Sequence, residues 1–200
     1  MSRLFAKWYD FFMNPLERKK FYGIRKNLLS KASGMVLEIG SGTGINFPLY
    51  TVADKVVATD PSPYMIQLSR VKHQQSSVPI ELVQANAEEL PFADNTFDTV
   101  VATLVFCTIP NPEKALQEIR RVCKANGTIL LFEHVKMENR FLAALQDLLT
   151  PAWKKLCDGC CLNRDTMALL KKNELQIKET KNYFNTLFIF AEAANIKNID

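Results

Sequence analysis

Glu38-Ile39-Gly40-Ser41-Gly42-Thr43-Gly44 closes an apolar run, Met35-Val36-Leu37, that reads as a short buried strand. Gly40, Gly42 and Gly44 let the backbone turn sharply and approach a ligand with no Cβ in the way. A second apolar run, Val56-Val57-Ala58-Thr59, ends in Asp60, an acid suited to the two hydroxyls of a ribose. Together these features predict a nucleoside pocket at the ends of two neighbouring parallel strands. A ligand-free strand-to-helix turn would explain a lone Gly-x-Gly; the preceding strand, Glu38 and Asp60 weigh against it.

The glycine spacing narrows the nucleoside. A dinucleotide site wants Gly-x-Gly-x-x-Gly, with a helix N-terminus facing pyrophosphate. Here the third glycine comes one residue early and Ile45 holds the place of the expected Gly or Ala. Glu38 at the entrance repels pyrophosphate and attracts an ammonium or sulfonium group.

The 200 residues fit one domain, and an apolar content of 48% argues against a disordered chain. The net charge of +4 permits contact with anionic lipid or nucleic acid without arguing for either. Charges break the opening Met1-Ser2-Arg3-Leu4-Phe5-Ala6-Lys7-Trp8, which does not read as a signal sequence. No apolar run approaches the ~20 residues that cross a bilayer. A cytoplasmic location is expected, where the five cysteines would be free thiols. Cys157-x-x-Cys160-Cys161 invites a zinc reading, but no second Cys or His pair completes it, and His73 and His134 stand alone. No metal is expected.

Along the chain, Ser62-Pro63 and Asn111-Pro112 read as a helix cap followed by a first-turn proline. Strands follow at Ile80–Gln84, at Phe97 to Leu104, and at Thr128–His134 after Asn126-Gly127. Ala115, Leu116, Ile119 and Val122 share one helical face. Leu175 to Tyr183 and Thr186 to Ala194 form a hairpin about Phe184-Asn185. Two stretches lie outside this core. Leu4, Phe5, Trp8, Phe11 and Phe12 follow helical spacing, as do Phe21, Ile24 and Leu28 among Arg18, Lys19, Lys20, Arg25 and Lys26. They read either as helices packed on the domain or as a basic, aromatic surface anchor or lid. Phe141, Leu142, Leu145, Leu148 and Leu149 form a second apolar stripe, and Thr150-Pro151 would restart a helix carrying Trp153 and Leu156.

In this order the motifs resemble the class I S-adenosylmethionine-dependent methyltransferases. Tyr9-Asp10-Phe11-Phe12-Met13, Pro15-Leu16-Glu17, Thr103-Leu104-Val105-Phe106-Cys107 and Glu133-His134-Val135 are similar to the thiol methyltransferase-like and bacterial phospholipid methyltransferase group. So are Pro151-Ala152-Trp153, Asp158-Gly159-Cys160 and Leu162-Asn163-Arg164. Ser41 stands where this group often has Cys, and Asn126-Gly127 where Pro-Gly is common. The resemblance implies an α/β, Rossmann-like seven-stranded, mostly parallel sheet with helices on both faces and a C-terminal antiparallel hairpin. It implies one methyltransferase domain over 1–200, with the helical segment 1–31 and the insertion 137–173 forming a lid.

It also implies S-adenosylmethionine as cofactor and S-adenosylhomocysteine as product. Glu38, Gly40, Gly42 and Gly44 would hold the methionine end and ribose, and Asp60 the ribose hydroxyls. Pro61 and Met65 would flank the adenine; Asn86, Ala87 and Glu88 would read it. Thr103 and Leu104 would sit beside the sulfonium. His134 and Asp158 are the candidate catalytic residues. The expected acceptor is a small lipophilic thiol or a phospholipid amine, because so few bases are available; a quinone-ring carbon or a non-catalytic cofactor-binding membrane-surface module are the alternatives. Peripheral contact with the inner membrane surface would run through the N-terminal segment. Nucleic acid is not expected as a partner: Cys107-Thr108-Ile109-Pro110 stands where a base-methylating Asp/Asn-Pro-Pro-Tyr/Phe would follow the fourth strand.

Overall fold

A computed structural model describes residues 20–157, 159–173 and 175–197. The expected first N-terminal helix and Asp158 lie outside the described residues. The elements run α1 (Tyr22–Leu29), β1 (Gly34–Ile39), β2 (Ala53–Asp60), α2 (Pro63–His73), β3 (Ile80–Gln84), β4 (Phe97–Thr103) and α3 (Pro112–Val122). They continue with β5 (Cys123–His134), α4 (Arg140–Leu156), α5 (Thr166–Lys172), β6 (Gln176–Tyr183) and β7 (Phe188–Ala194). The strands form one sheet in the order β3-β2-β1-β4-β5-β7-β6. β1 to β5 are parallel, and β7 lies antiparallel between β5 and β6. This is the Rossmann-like sheet with its terminal hairpin. The strand order turns back between β1 and β4, the switch point at which open α/β sheets bind ligands.

Alternation along each strand divides the core into two layers. Leu37, Ile39, Val100, Ala102, Ile129 and Leu131 meet Ala115, Leu116, Ile119 and Val122 of α3. On the other face Val36, Val56, Ala58, Val101, Leu130 and Phe132 meet Ile24, Leu28 and Leu29 of α1, with Phe47 and Tyr50. The stripe Phe21, Ile24, Leu28 is therefore a packing face. The caps form as read: Ser62 Oγ accepts from Met65 N and Asn111 Oδ1 from Lys114 N.

Boundaries differ where long-range pairing decides them. β2 starts at Ala53, not Val56. β5 starts at Cys123, not Thr128, and bulges between the pairs Phe97–Cys123 and Thr99–Thr128. The buried Asn195 side chain fixes that bulge by donating to the carbonyls of Arg120, Cys123 and Lys124. α4 runs unbroken through Pro151 instead of restarting there, and the Thr150 hydroxyl donates to Gln146 O at 2.6 Å beside the proline. The hairpin turn is longer than two residues: Phe184, Asn185 and Thr186 all have positive φ. The Phe184 ring packs edge-on against Phe21 and Phe188, which holds this unfavourable backbone in place.

Candidate functional site

The glycine loop leaves β1 at the carboxyl edge of the sheet. Ser41 N donates to Thr59 O at 2.8 Å, and Gly44 N to Ser41 O at 2.9 Å. Asp60 closes β2 beside it. Its Oδ2 accepts from Gly42 N at 3.0 Å and its Oδ1 from Ser62 N at 2.8 Å. Burial raises its pKa, while these two backbone donors oppose the rise. Asp60 thus anchors the glycine loop, a duty that the sequence reading did not assign to it. Gly42, at φ +54°, has nothing within 4 Å of where a Cβ would stand, so the loop is open on that side. A glycine cradle open next to a buried carboxylate fits a nucleoside.

Beneath the loop lies a buried polar network. Glu38 is 1% exposed. Its Oε1 accepts from Asn46 Nδ2 at 2.8 Å and its Oε2 from the Tyr50 hydroxyl at 3.0 Å. Arg25 Nη1 donates to Asn46 Oδ1 at 3.0 Å and to Thr103 Oγ1 at 2.7 Å; Asn46 Nδ2 also reaches Thr103 Oγ1 at 3.0 Å. Sequence reasoning missed Arg25, Asn46 and Tyr50 in this role. In sequence Arg25 reads as part of a basic flank, yet it is 3% exposed. Glu38 stands under the loop, already bound by two protein donors, and Thr103 is tied into the same network.

Burial pushes the Glu38 carboxyl up to about 7, against the pull of Asn46, Tyr50 and Arg25. A folded-state pKa above the unfolded value means that the native protein keeps the extra proton between about pH 4.5 and 7. This group's contribution to stability therefore falls as pH rises through that window. Glu38→Gln should remove that dependence. Whatever constant cost the amide brings, urea unfolding should find the variant gaining about 1–3 kcal/mol on wild type between pH 4.5 and 7.5. A difference that stays flat with pH would place the Glu38 titration elsewhere.

On the other side of Asp60, Gln84 pairs with it in register, and its Nε2 donates to Pro61 O at 3.3 Å. Ala85 N donates to Asp60 O at 3.3 Å, so Asn86, Ala87 and Glu88 leave the sheet next to the end of β2, and Met65 of α2 is buried. Two of these side chains already have local partners. Asn86 Oδ1 accepts from Glu88 N at 3.0 Å, and Glu88 Oε1 accepts from Asn111 N at 2.9 Å, tying the turn to the cap of α3. Leu104 follows β4 with φ +55°, an unfavourable conformation for a bulky side chain. Its N–H donates to Phe132 O at 2.7 Å.

A third group gathers beyond β4 and β5. His134 Nε2 lies 3.3 Å from Cys160 Sγ, and donor atoms of Cys107, His134 and Cys160 all fall within 4.8 Å of one another. The hydrogen bond between the two thiols and the adjoining imidazole lower the Cys160 pKa. Cys107 is pushed up by the same hydrogen bond and by burial. Glu133 is fully buried; its Oε1 accepts from Val105 N at 2.9 Å and Phe106 N at 3.2 Å, and burial raises its pKa to about 7.

Known proteins share this architecture. Residues 37–131 match the family model described as a methyltransferase domain. Human thiol S-methyltransferase TMT1B is 34% identical over 166 residues, 77% of this chain and 68% of that protein. Phosphatidylethanolamine N-methyltransferase of Cereibacter sphaeroides is 34% identical over 153 residues, 74% of this chain and 75% of its own length. The crystal structure of a SAM-dependent methyltransferase from Aquifex aeolicus superposes with a TM-score of 0.63 at 18% identity, covering 88% of this chain and 90% of that one. With the switch-point cradle and Asp60 in place, the chain belongs to the S-adenosylmethionine-dependent methyltransferases, alongside the thiol and phospholipid methyltransferases.

Proposed function

We propose that this enzyme transfers a methyl group to a small lipophilic thiol. The observation that carries this reading is the character of the groups beyond β4 and β5: two thiols and an imidazole, with the imidazole Nε2 engaged by Cys160. An acceptor that ionises unaided, such as a thiol of pKa about 8.5, suits such a site. A ring carbon would need a strong base. A phospholipid amine is the second reading, favoured by the 34% identity to the phosphatidylethanolamine enzyme.

In this reading Gly40, Gly42 and Gly44 cradle the methionine end and ribose of the cofactor, Glu38 supports them from below, and Asp60 accepts from the ribose hydroxyls. Pro61, Met65, Asn86, Ala87 and Glu88 surround the adenine, and Thr103 and Leu104 border the methyl. Bound S-adenosylmethionine supplies a methyl carbon already activated by its sulfonium leaving group. The chain's own work is to align the acceptor and exclude water. His134 is the candidate base, and Asp158 keeps its candidacy from the sequence alone.

A lipid surface is the proposed partner. α4 exposes Phe141 (88%), Leu148 (74%) and Leu156 (75%) with Leu145, Leu149 and Trp153, flanked by Arg140, Lys154 and Lys155. An apolar stripe edged by cations suits the headgroup boundary of an anionic membrane. No helix of the described residues is long and apolar enough to cross a membrane. Phe141→Glu with Leu148→Glu should reduce binding to phosphatidylglycerol-containing vesicles at least tenfold in a flotation assay, since each buried side chain contributes about 1.5–3 kcal/mol. Unchanged flotation would assign the stripe to another role. The segment 137–173 and the N-terminal residues would close over the acceptor as a lid.

The acceptor test is radiolabelled methyl transfer from S-adenosylmethionine to an alkyl thiol, to phosphatidylethanolamine and to a demethylquinone. Transfer to the thiol is expected. Transfer only to one of the others names the competing class, and cofactor binding without any transfer supports a non-catalytic module.

A further inference from the structure

We propose that Cys107 Sγ, His134 Nε2 and Cys160 Sγ form a zinc site whose fourth position takes the sulfur of the acceptor. The use of the fourth position rests on the thiol reading above; the metal site itself does not. The three donors come from three separate places: the turn after β4, the end of β5 and the segment after α4. Their donor atoms nevertheless lie within 4.8 Å of one another, with Nε2 and the Cys160 sulfur 3.3 Å apart. Tetrahedral zinc, with bonds of about 2.0–2.3 Å, holds such donors about 3.5–3.8 Å apart. Little movement separates the present arrangement from ligation.

The scaffold already fixes the three segments to one another. Glu133 Oε1 accepts from Val105 N and Phe106 N, locking the Cys107 turn to the strand that carries His134. Cys161 N donates to Cys107 O at 2.9 Å, which ties the residue after Cys160 to the same turn. Gln146 Nε2 donates to Val135 O at 3.1 Å and Leu162 O at 2.9 Å, clamping the segment after α4 onto the end of β5. Arg164 Nη2 reaches Ile109 O at 2.9 Å. Such cross-ties preorganise a metal site at little entropic cost on binding. His134 Nδ1, which would carry the proton during Nε2 ligation, is buried and has no hydrogen-bond partner among the described residues.

The donor chemistry selects the ion. Two thiolates and an imidazole suit zinc and other thiophilic ions, and disfavour magnesium and calcium. Three protein ligands leave the open position that distinguishes catalytic from structural zinc. A thiol bound there is deprotonated outright. Its proton passes to solvent, and His134, with Nε2 on the metal, then serves as a ligand in place of the base role given to it above. The zinc-bound sulfur forms a bond to the methyl carbon as the bond from that carbon to the sulfonium breaks. The products are a methyl thioether and S-adenosylhomocysteine. The thioether is neutral, binds zinc weakly and leaves.

The test uses the full chain, purified under reducing conditions, stripped with a chelator and titrated with cobalt(II) as a spectroscopic stand-in for zinc. Sulfur-to-cobalt charge-transfer bands with tetrahedral ligand-field bands should grow to one ion per chain. An added alkanethiol should shift them. Cys107→Ser, His134→Gln and Cys160→Ser should each weaken zinc binding at least 100-fold, while S-adenosylmethionine binding by calorimetry stays within a few-fold of wild type and so reports intact folding. No cobalt spectrum in the reduced wild type, or a spectrum that survives Cys160→Ser, overturns the site. A native Cys107–Cys160 disulfide by mass spectrometry, with no metal taken up after reduction, does the same. A spectrum that is lost on Cys160→Ser but ignores alkanethiol upholds the zinc site and overturns its use for the acceptor. Failure of thiol methylation in a protein that shows the alkanethiol shift upholds the site and counts against the thiol reading alone.

Discussion

Asp60→Ala is expected to weaken S-adenosylmethionine binding more than about 30-fold by calorimetry. Two losses combine. The proposed charge-assisted hydrogen bonds to the ribose disappear, a loss of about 2–3 kcal/mol. The glycine loop also loses its tie, because Asp60 Oδ2 holds Gly42 N and Oδ1 holds Ser62 N. Asp60→Asn separates the two contributions. The amide keeps an acceptor for one backbone donor and removes the charge, so its affinity should fall between those of wild type and alanine. Wild-type affinity in Asp60→Ala would mean that no ribose contacts this carboxylate. An equal loss in both variants would assign the whole effect to charge and none to the loop.

The second large effect distinguishes two neighbouring glycines. At Gly40, φ is +64° and an added Cβ would stand 2.2 Å from Val105 Cγ2 and 2.9 Å from Val105 Cβ. Val105 cannot simply withdraw, since its N–H is held by buried Glu133. Gly40→Ala therefore combines a left-handed backbone penalty of about 1–2 kcal/mol with overpacking of about 1–3 kcal/mol. Thermal unfolding should show a clear loss of stability, with cofactor binding lost alongside. At Gly42 the Cβ meets nothing, so Gly42→Ala pays only the backbone penalty. Its methyl group would nonetheless project into the side where the cofactor is proposed to lie. Gly42→Ala should lose only about 1–2 kcal/mol of stability, less than Gly40→Ala, and bind S-adenosylmethionine at least tenfold more weakly. Full affinity in that variant would move the cofactor away from the loop.

These predictions use the part of the site that neighbours in sequence define. The strand before Glu38, the closely spaced glycines and the acid ending the next strand are short-range signals, and each was legible in the chain. The caps at Ser62 and Asn111 and the apolar face of α3 were legible for the same reason: a helical or extended period repeats within a few residues. The terminal hairpin was legible in outline, while its left-handed turn depended on Phe184 finding Phe21 and Phe188.

By itself the sequence determined the methyltransferase sheet, its cofactor class and the placing of Gly40, Gly42, Gly44 and Asp60 at the ends of β1 and β2. Only the tertiary structure decided what surrounds them. Arg25 meets Thr103 across 78 positions of chain and Asn46 across 21. His134 meets Cys160 across 26, and Cys107 joins them from another strand end. The sequence reading set zinc aside because Cys157, Cys160 and Cys161 lacked a partner pair nearby. Local periodicity records which face a residue occupies, but it cannot record which distant strand end that face will meet once the sheet has closed.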